Sequence, residues 1–377
     1  MRSLILLAAA LAQVTFAIAA DAPRARDIGV PFPGTPGPLN AITDVKGVMV
    51  GQETIIRDFK KHRAVRTGVT AVFPRGPVTL DKAVFAGIFS LNGNGEMTGS
   101  HWVEESGYLE GPVMITNTHS VGAVHEAAIK WRVAQAGPDA SGYWWSLPVV
   151  AETWDGHLND INGFHVTAKH VAKALESAKS GPVAEGNVGG GTGMICHEFK
   201  CGIGTSSRIA GDYTVGVLVQ ANYGMRDPLR IAGVPVGQHL RNDRVYSEEP
   251  EAAETGSIII VIATDAPLLP HQLKRLAKRA SLGLGRMGSY AGNGSGDIFI
   301  AFSTQALNGE GDIYPVSYVA NDALDPIFEA VADATEESIV NAMVAARDMT
   351  GDEGRYAKAI DHEALRTVLK QYGRLKE

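Results

Sequence analysis

Gly256 and Ser257 stand at an abrupt change of character. The stretch SEEPEAAET (247–255) is acidic and broken by proline, and the run IIIVI (258–262) that follows Ser257 is wholly apolar. This pattern predicts an exposed linker feeding a buried strand, with Ser257 on the first rung. A serine so placed can attack the carbonyl of residue 256. Once that bond is cut, one residue carries a hydroxyl nucleophile and an α-amine base. An unperturbed α-amine has a pKa of about 7.7–8.0, so part of it is neutral near pH 7.

Other residues could support such chemistry. NGSGD (293–297) reads as a turn feeding the alternating strand 298–303, and Asn293 stands where a nucleophile elbow requires glycine. A helix between residues 267 and 285 would join this strand to the one after Ser257 and bring Ser295 and Asp297 beside it. Asn222 closes the β-rich run 218–224; its amide could donate to a developing oxyanion, although an Asn before Tyr-Gly is more often a turn former. Tyr143, Trp144, Trp145 and Trp154 gather near Glu152 and Asp155, an aromatic grouping most often found in cores and interfaces. The glycine cluster 186–193 lacks the Lys-Ser or Lys-Thr of a phosphate loop and implies close backbone approach. The eleven histidines form no metal signature, and no cofactor motif is present. Cys196 and Cys201 could close a small loop in an oxidising compartment; thiol catalysis and zinc binding fit the spacing less well, and the pairing stays open.

The elements that must hold these residues follow from periodicity. Short β-rich runs at 48–50, 69–73, 83–90 and 113–116 alternate with Gly, Pro and Asn clusters, which argues for a substantial sheet. Helical spacing appears at Val121, Val124, Ala128 and Trp131, at Val166, Val171 and Leu175, at Leu269, Leu273, Leu276 and Ala280 with Asp265 as cap, and from Asp325 to about Arg347. No regular βαβ rhythm or dinucleotide fingerprint is present, so a layered α+β sandwich is expected. The proline-rich residues 24–39 read as an irregular surface arm.

The chain has 377 residues, 45% of them hydrophobic, and a net charge of −7, values that suit a globular protein and leave no basic footprint for nucleic acid. Arg2, the apolar residues 4–12 and the small residues before Asp21 predict a cleaved export signal over residues 1–20, and hence a periplasmic or secreted protein with no remaining membrane segment.

Several blocks together carry a resemblance: LNAITDV (39–45), LNGNGEMTG (91–99), residues 186–194, GIGTSSR (202–208), residues 217–224, Gly256-Ser257 with its strand, and residues 293–297. The sequence resembles the DmpA-type L-aminopeptidase/D-esterase family, which includes the β-peptidyl aminopeptidases. The resemblance covers nearly the whole chain after the arm. It implies a four-layer αββα sandwich like that of the N-terminal nucleophile hydrolases. It also implies a single domain that cuts itself into an α chain (21–256) and a β chain (257–377). Ser257 then matches the nucleophile, Ser295 and Asp297 the pair that supports it, Asn222 the oxyanion amide, and Glu152 and Tyr143 the substrate-amine and pocket contacts. Short peptides, amides or esters with a free amine are the implied substrates, and a tetramer of αβ units the implied assembly. Two alternatives are an acyltransferase on the same fold, disfavoured by serine at 257 and by the export signal, and a secreted binding protein without catalysis, disfavoured by the retained Ser257, Ser295 and Asp297.

Overall fold

A computed structural model describes residues 22–77, 83–136, 145–245, 256–306 and 312–376. The export signal, most of the linker before Gly256, and Tyr143 with Trp144 lie outside the described residues. In chain order the first half contains β1 (Met49–Asp58), β2 (Ala64–Phe73), β3 (Val84–Gly93), helix α1 (Ser100–Ser106), β4 (Tyr108–Leu109), β5 (Val113–Asn117), helix α2 (Val121–Ala136), β6 (Val149–Thr153) and helix α3 (Ala168–Glu176). There follow a hairpin of β7 (Ile195–Cys196) and β8 (Phe199–Lys200), the long strands β9 (Ile203–Ala210) and β10 (Tyr213–Asn222), and a short helix α4 (Val236–His239). The chain continues through β11 (Ser257–Thr264), helix α5 (Pro270–Arg286), β12 (Gly296–Ser303) and helix α6 (Asp325–Val344).

Two sheets stack face to face, one ordered β1-β2-β5-β6 and the other β4-β3-β12-β11-β10-β9. Helices α2 and α3 cover the outer face of the first, and α5 and α6 that of the second, completing the αββα sandwich. The strand after Ser257 shows why its sequence does not alternate. Ile258, Ile260 and Ile262 pack towards α5 and α6, while Ile259, Val261 and Ala263 pack into the layer between the sheets. A strand buried on both faces needs apolar residues at every position.

Three expectations need correction. Helix α5 is capped at Leu269 with proline at its first position, and Asp265 instead accepts the Thr214 N–H at 2.7 Å from across the sheet. The segment 24–39 is not a surface arm: Ala25 and Val30 are buried, and Arg24 and Arg26 reach the buried carboxylates of Glu185 and Glu337. Proline spacing correctly marks irregular backbone, but it does not report which side chains find partners. Trp145 and Trp154 are exposed and so belong to no core.

The glycine cluster behaves as close-packed backbone. Gly189–Gly191 forms a single turn wedged between the sheets, where a Cβ on Gly190 would stand 2.2 Å from Gln220 Oε1.

Candidate active site

Register brings the candidate residues together. In the antiparallel pair β10–β11, Asn222 lies opposite Ser257; in the parallel pair β11–β12, Ser257 lies beside Gly296, and Gly296 in turn faces Gly93 on β3. Four strand ends therefore stand abreast at one edge of the larger sheet. Parallel β11 and β12 begin at the same edge because α5 carries the chain back between them. Ser257 has the parity of Ile259 and Val261, and Asn222 that of Leu218 and Gln220, so both face the gap between the sheets. Both are buried, at 5% and 8% exposure.

The Asn222 carboxamide has a defined orientation. Its Oδ1 accepts the Ile195 N–H at 2.9 Å, which leaves the NH₂ as the end able to donate elsewhere. Ser295 and Asp297 flank Gly296, are fully buried, and are joined by a Ser295 Oγ to Asp297 Oδ1 hydrogen bond of 2.7 Å. Their loop is stapled by two amides of the LNGNGEMTG block, residues given no role from the sequence alone: Asn92 Nδ2 donates to Gly292 O at 2.5 Å and Asn94 Nδ2 to Gly294 O at 2.8 Å. The repeated Asn-Gly of residues 92–95 was the available signal, a turn that presents side-chain amides.

Gly256 must be glycine here. A Cβ on it would come within 2.3 Å of both Asn222 O and Tyr223 Cα. Its carbonyl oxygen accepts the Gly296 N–H at 3.1 Å, so the carbonyl next to Ser257 is already polarised by a fixed donor.

Glu152 approaches from the other sheet. It is the penultimate residue of β6, just before Thr153, and β6 packs against β11 across the interlayer. Its Oε1 accepts the Glu96 N–H at 3.0 Å, and its Oε2 accepts the Thr118 hydroxyl. Thr118 is available because β5, which it follows, runs parallel to β6 with Thr116 opposite Glu152. A Cβ on Gly95 would lie 3.2 Å from Gly296 Cα and 3.3 Å from Glu152 Oε1, so the 92–97 loop bridges this carboxylate to the strand end beside Ser257. Burial pushes the Glu152 pKa above the usual carboxylate range, partly countered by Thr118 and the Glu96 N–H. Thr118 was invisible in the sequence, since nothing local ties it to residue 152.

Behind this edge lies a second buried carboxylate, Asp155, pushed up to about 7 by burial against the opposing pull of Thr67, Asn159 and Asn117. His197 is buried against Tyr223; burial holds it down at about 4, so its ring is neutral near pH 7. Cys196 and Cys201 form a disulfide, which settles the pairing that the sequence left open. Of the residues expected at the site, Ser257 and Asn222 face the gap between the sheets from adjacent strand ends, and the 92–97 loop bridges Glu152 to the same end. Ser295 and Asp297 flank Gly296 on the neighbouring strand, with Asp297 on the parity of Phe299, towards α5 and α6. Tyr143 lies outside the described residues.

Residues 40–357 match the family model for peptidase family S58. The chain is 53% identical to the β-peptidyl aminopeptidase BapA of Sphingosinicella microcystinivorans, over 95% of each chain, and 47% identical to BapA of Sphingosinicella xenopeptidilytica, over 97% of this chain and 95% of that one. Among solved structures it is similar to an L-aminopeptidase D-Ala-esterase/amidase of Ochrobactrum anthropi, described as a prototype serine aminopeptidase and a variant of the Ntn hydrolase fold. That similarity has a TM-score of 0.87 at 52% identity and covers 94% of this chain and 99% of the other. A β-aminopeptidase of a Burkholderia species matches with a TM-score of 0.83 at 48% identity, over 93% and 99%.

Proposed function

The chain belongs to peptidase family S58, and from that premise we propose that it cuts its own backbone before Ser257 and then removes N-terminal residues from short peptides, amides or esters, β-peptides among them, through an acyl-enzyme on Ser257. The observation that carries this reading is the register that sets Asn222, Ser257 and Gly296 abreast with the Gly256 carbonyl held by the Gly296 N–H.

In maturation, the Ser257 hydroxyl attacks the Gly256 carbonyl carbon, and the Gly296 N–H stabilises the charge that develops on its oxygen. The peptide nitrogen leaves with a proton, and water hydrolyses the resulting ester. The products are a carboxylate at Gly256 and a free α-amine at Ser257. In catalysis that amine takes the hydroxyl proton as Ser257 attacks the substrate acyl carbon. A positioned base of this kind contributes roughly 10²–10⁴ in rate. The Asn222 NH₂ receives the oxyanion, the amine proton passes to the leaving group, and water releases the acyl product. Ser295 and Asp297 hold the start of β12 and the charge beside the new terminus. Glu152 receives the free ammonium of the substrate, which excludes chains with a blocked amine.

The relatives' names support β-amino acid substrates. The apolar and small residues of 4–20 support export to the periplasm or medium, and among the described residues no helix is long and apolar enough to cross a membrane. Exposed Ile313, Tyr314 and Tyr318 support assembly into a homo-oligomer of αβ units.

Intact mass and N-terminal sequencing under denaturing conditions test the core of the reading. Two chains are expected, the smaller one starting at Ser257 with 121 residues (377 − 257 + 1). Ser257→Ala is expected to remain one chain; an alanine variant that splits normally removes Ser257 from this role.

A further inference from the structure

The Cys196–Cys201 disulfide is absent from the mechanism above, yet it closes the hairpin that touches Asn222. Three hydrogen bonds lay this hairpin along the exit of β10: Ile195 N–H to Asn222 Oδ1 at 2.9 Å, His197 N–H to Tyr223 O at 2.7 Å, and Ala221 N–H to Gly202 O at 3.0 Å. The first two come from one arm of the hairpin and its turn, and the third from the chain just past Cys201. The disulfide thus ties together the two segments that grip residues 221–223 from either end.

The turn it closes is not self-sustaining. His197 and Glu198 both adopt left-handed backbone, with φ of 48° and 61°, which residues with a side chain adopt at a cost unless their surroundings hold them. Arg226 supplies part of that hold, donating to His197 O at 2.8 Å and Glu198 O at 2.6 Å. The buried Lys200 amine supplies more, donating from Nζ to Met194 O and Cys201 O across the hairpin at 2.8 and 2.5 Å.

A carboxamide can exchange its oxygen and nitrogen by turning over about its last side-chain bond, and its neighbours decide which end faces the site. For Asn222 the deciding neighbour is the Ile195 N–H, adjacent in sequence to Cys196. If that N–H drifts, the carbonyl end can face the oxyanion and repel it.

We propose that the Cys196–Cys201 disulfide is a positioning element for catalysis, fixing the Ile195 N–H that keeps the Asn222 NH₂ aimed at the oxyanion. This rests on the proposed role of Asn222. It predicts a loss in turnover with little change in substrate affinity, because the oxyanion exists only after attack.

The test compares four self-cleaved enzymes: the parent, Cys196→Ala/Cys201→Ala, Asn222→Ala, and the triple variant, each with rates normalised to the amount of chain beginning at Ser257. Where the alanine pair fails to fold, Cys196→Val/Cys201→Ala refills the lost volume. The cysteine variant is expected to lose about tenfold in kcat with KM within about twofold, a fraction of what removing a whole oxyanion donor costs. The triple variant is expected to turn over no more slowly than Asn222→Ala, since the two changes act through one amide. Unchanged kcat in the cysteine variant, or an undiminished further loss in the triple variant, overturns the positioning role while leaving Asn222 in place. Full activity of Asn222→Ala instead overturns the oxyanion role, and this inference with it.

Discussion

Two buried glutamates on opposite sides of the molecule have been treated in opposite ways by their surroundings. Glu337, on α6, is fully buried and meets two arginines: its oxygens accept from Arg26 Nε at 2.7 Å, Arg26 Nη2 at 2.8 Å and Arg208 Nη2 at 2.6 Å, with Asn40 Nδ2 at 2.6 Å. Burial alone would push its carboxyl up, but the Arg26 hydrogen bonds, the Arg208 and Arg26 charges and Asn40 outweigh it and hold it below the usual range. Glu152 is as deeply placed but is given neutral donors, the Glu96 N–H and the Thr118 hydroxyl, and burial leaves it raised. A buried carboxylate that has its cation is a structural joint. One held by neutral groups beside a candidate nucleophile is suited to a cation that arrives with the substrate.

The largest effect that should separate the two is on stability. Glu337→Gln strands the almost fully buried Arg208 and is expected to cost about 3–5 kcal/mol in denaturant unfolding, the range for breaking a buried ion pair. Glu152→Gln should cost little, because an amide avoids the desolvation that a carboxylate suffers there. Equal losses in the two variants would erase the distinction.

Asp155 offers an intermediate case, buried among amides and hydroxyls without an incoming partner in the proposed mechanism. Its pKa is raised from 3.8 to about 7, so the folded state keeps its proton where the unfolded state has lost it. That contribution to stability is fully present below the unfolded value and disappears as pH rises through about 7. Unfolding free energy should therefore fall by about 2–3 kcal/mol between pH 5 and pH 8 on account of this group, and Asp155→Asn should flatten that part of the profile. An unchanged slope in the variant would show that other groups set it.

The smallest effect is the most specific to function. Glu152→Gln is expected to raise KM for free-amine substrates about tenfold, the loss of one charge-assisted contact, while self-cleavage proceeds normally. In the parent, KM should rise as pH falls, beginning above the ordinary carboxylate range because the raised Glu152 takes its proton early. The Gln variant should show no such rise. Equal KM in variant and parent removes Glu152 from the ammonium site.

The fold was largely readable because its strongest elements are periodic. The run after Ser257, the spacing 269–280 and the long pattern from Asp325 emerge as β11, α5 and α6. Less was readable where the partner is distant. Asp265 reads as a cap for the helix that follows it, but its carboxylate goes to Thr214, an option that only the neighbouring strand creates. Residues 24–39 read as surface because prolines forbid regular structure there. Their burial depends on Glu185 and Glu337, which lie more than a hundred residues away in the chain.

The sequence by itself determined where the chain changes from linker to buried strand, which serine opens that strand, and which family's blocks surround it; these are local patterns of polarity and residue type. Tertiary structure alone decided that Asn222 stands opposite Ser257, that Glu152 reaches the same edge from the other sheet with Thr118 and Glu96 as its donors, and that Cys196 and Cys201 pair beside the Asn222 amide. The physical reason is register. A strand's own residues fix which face each side chain takes, but the residue it meets is set by pairing between segments distant along the chain, and a slip of one position would turn every one of these groups away.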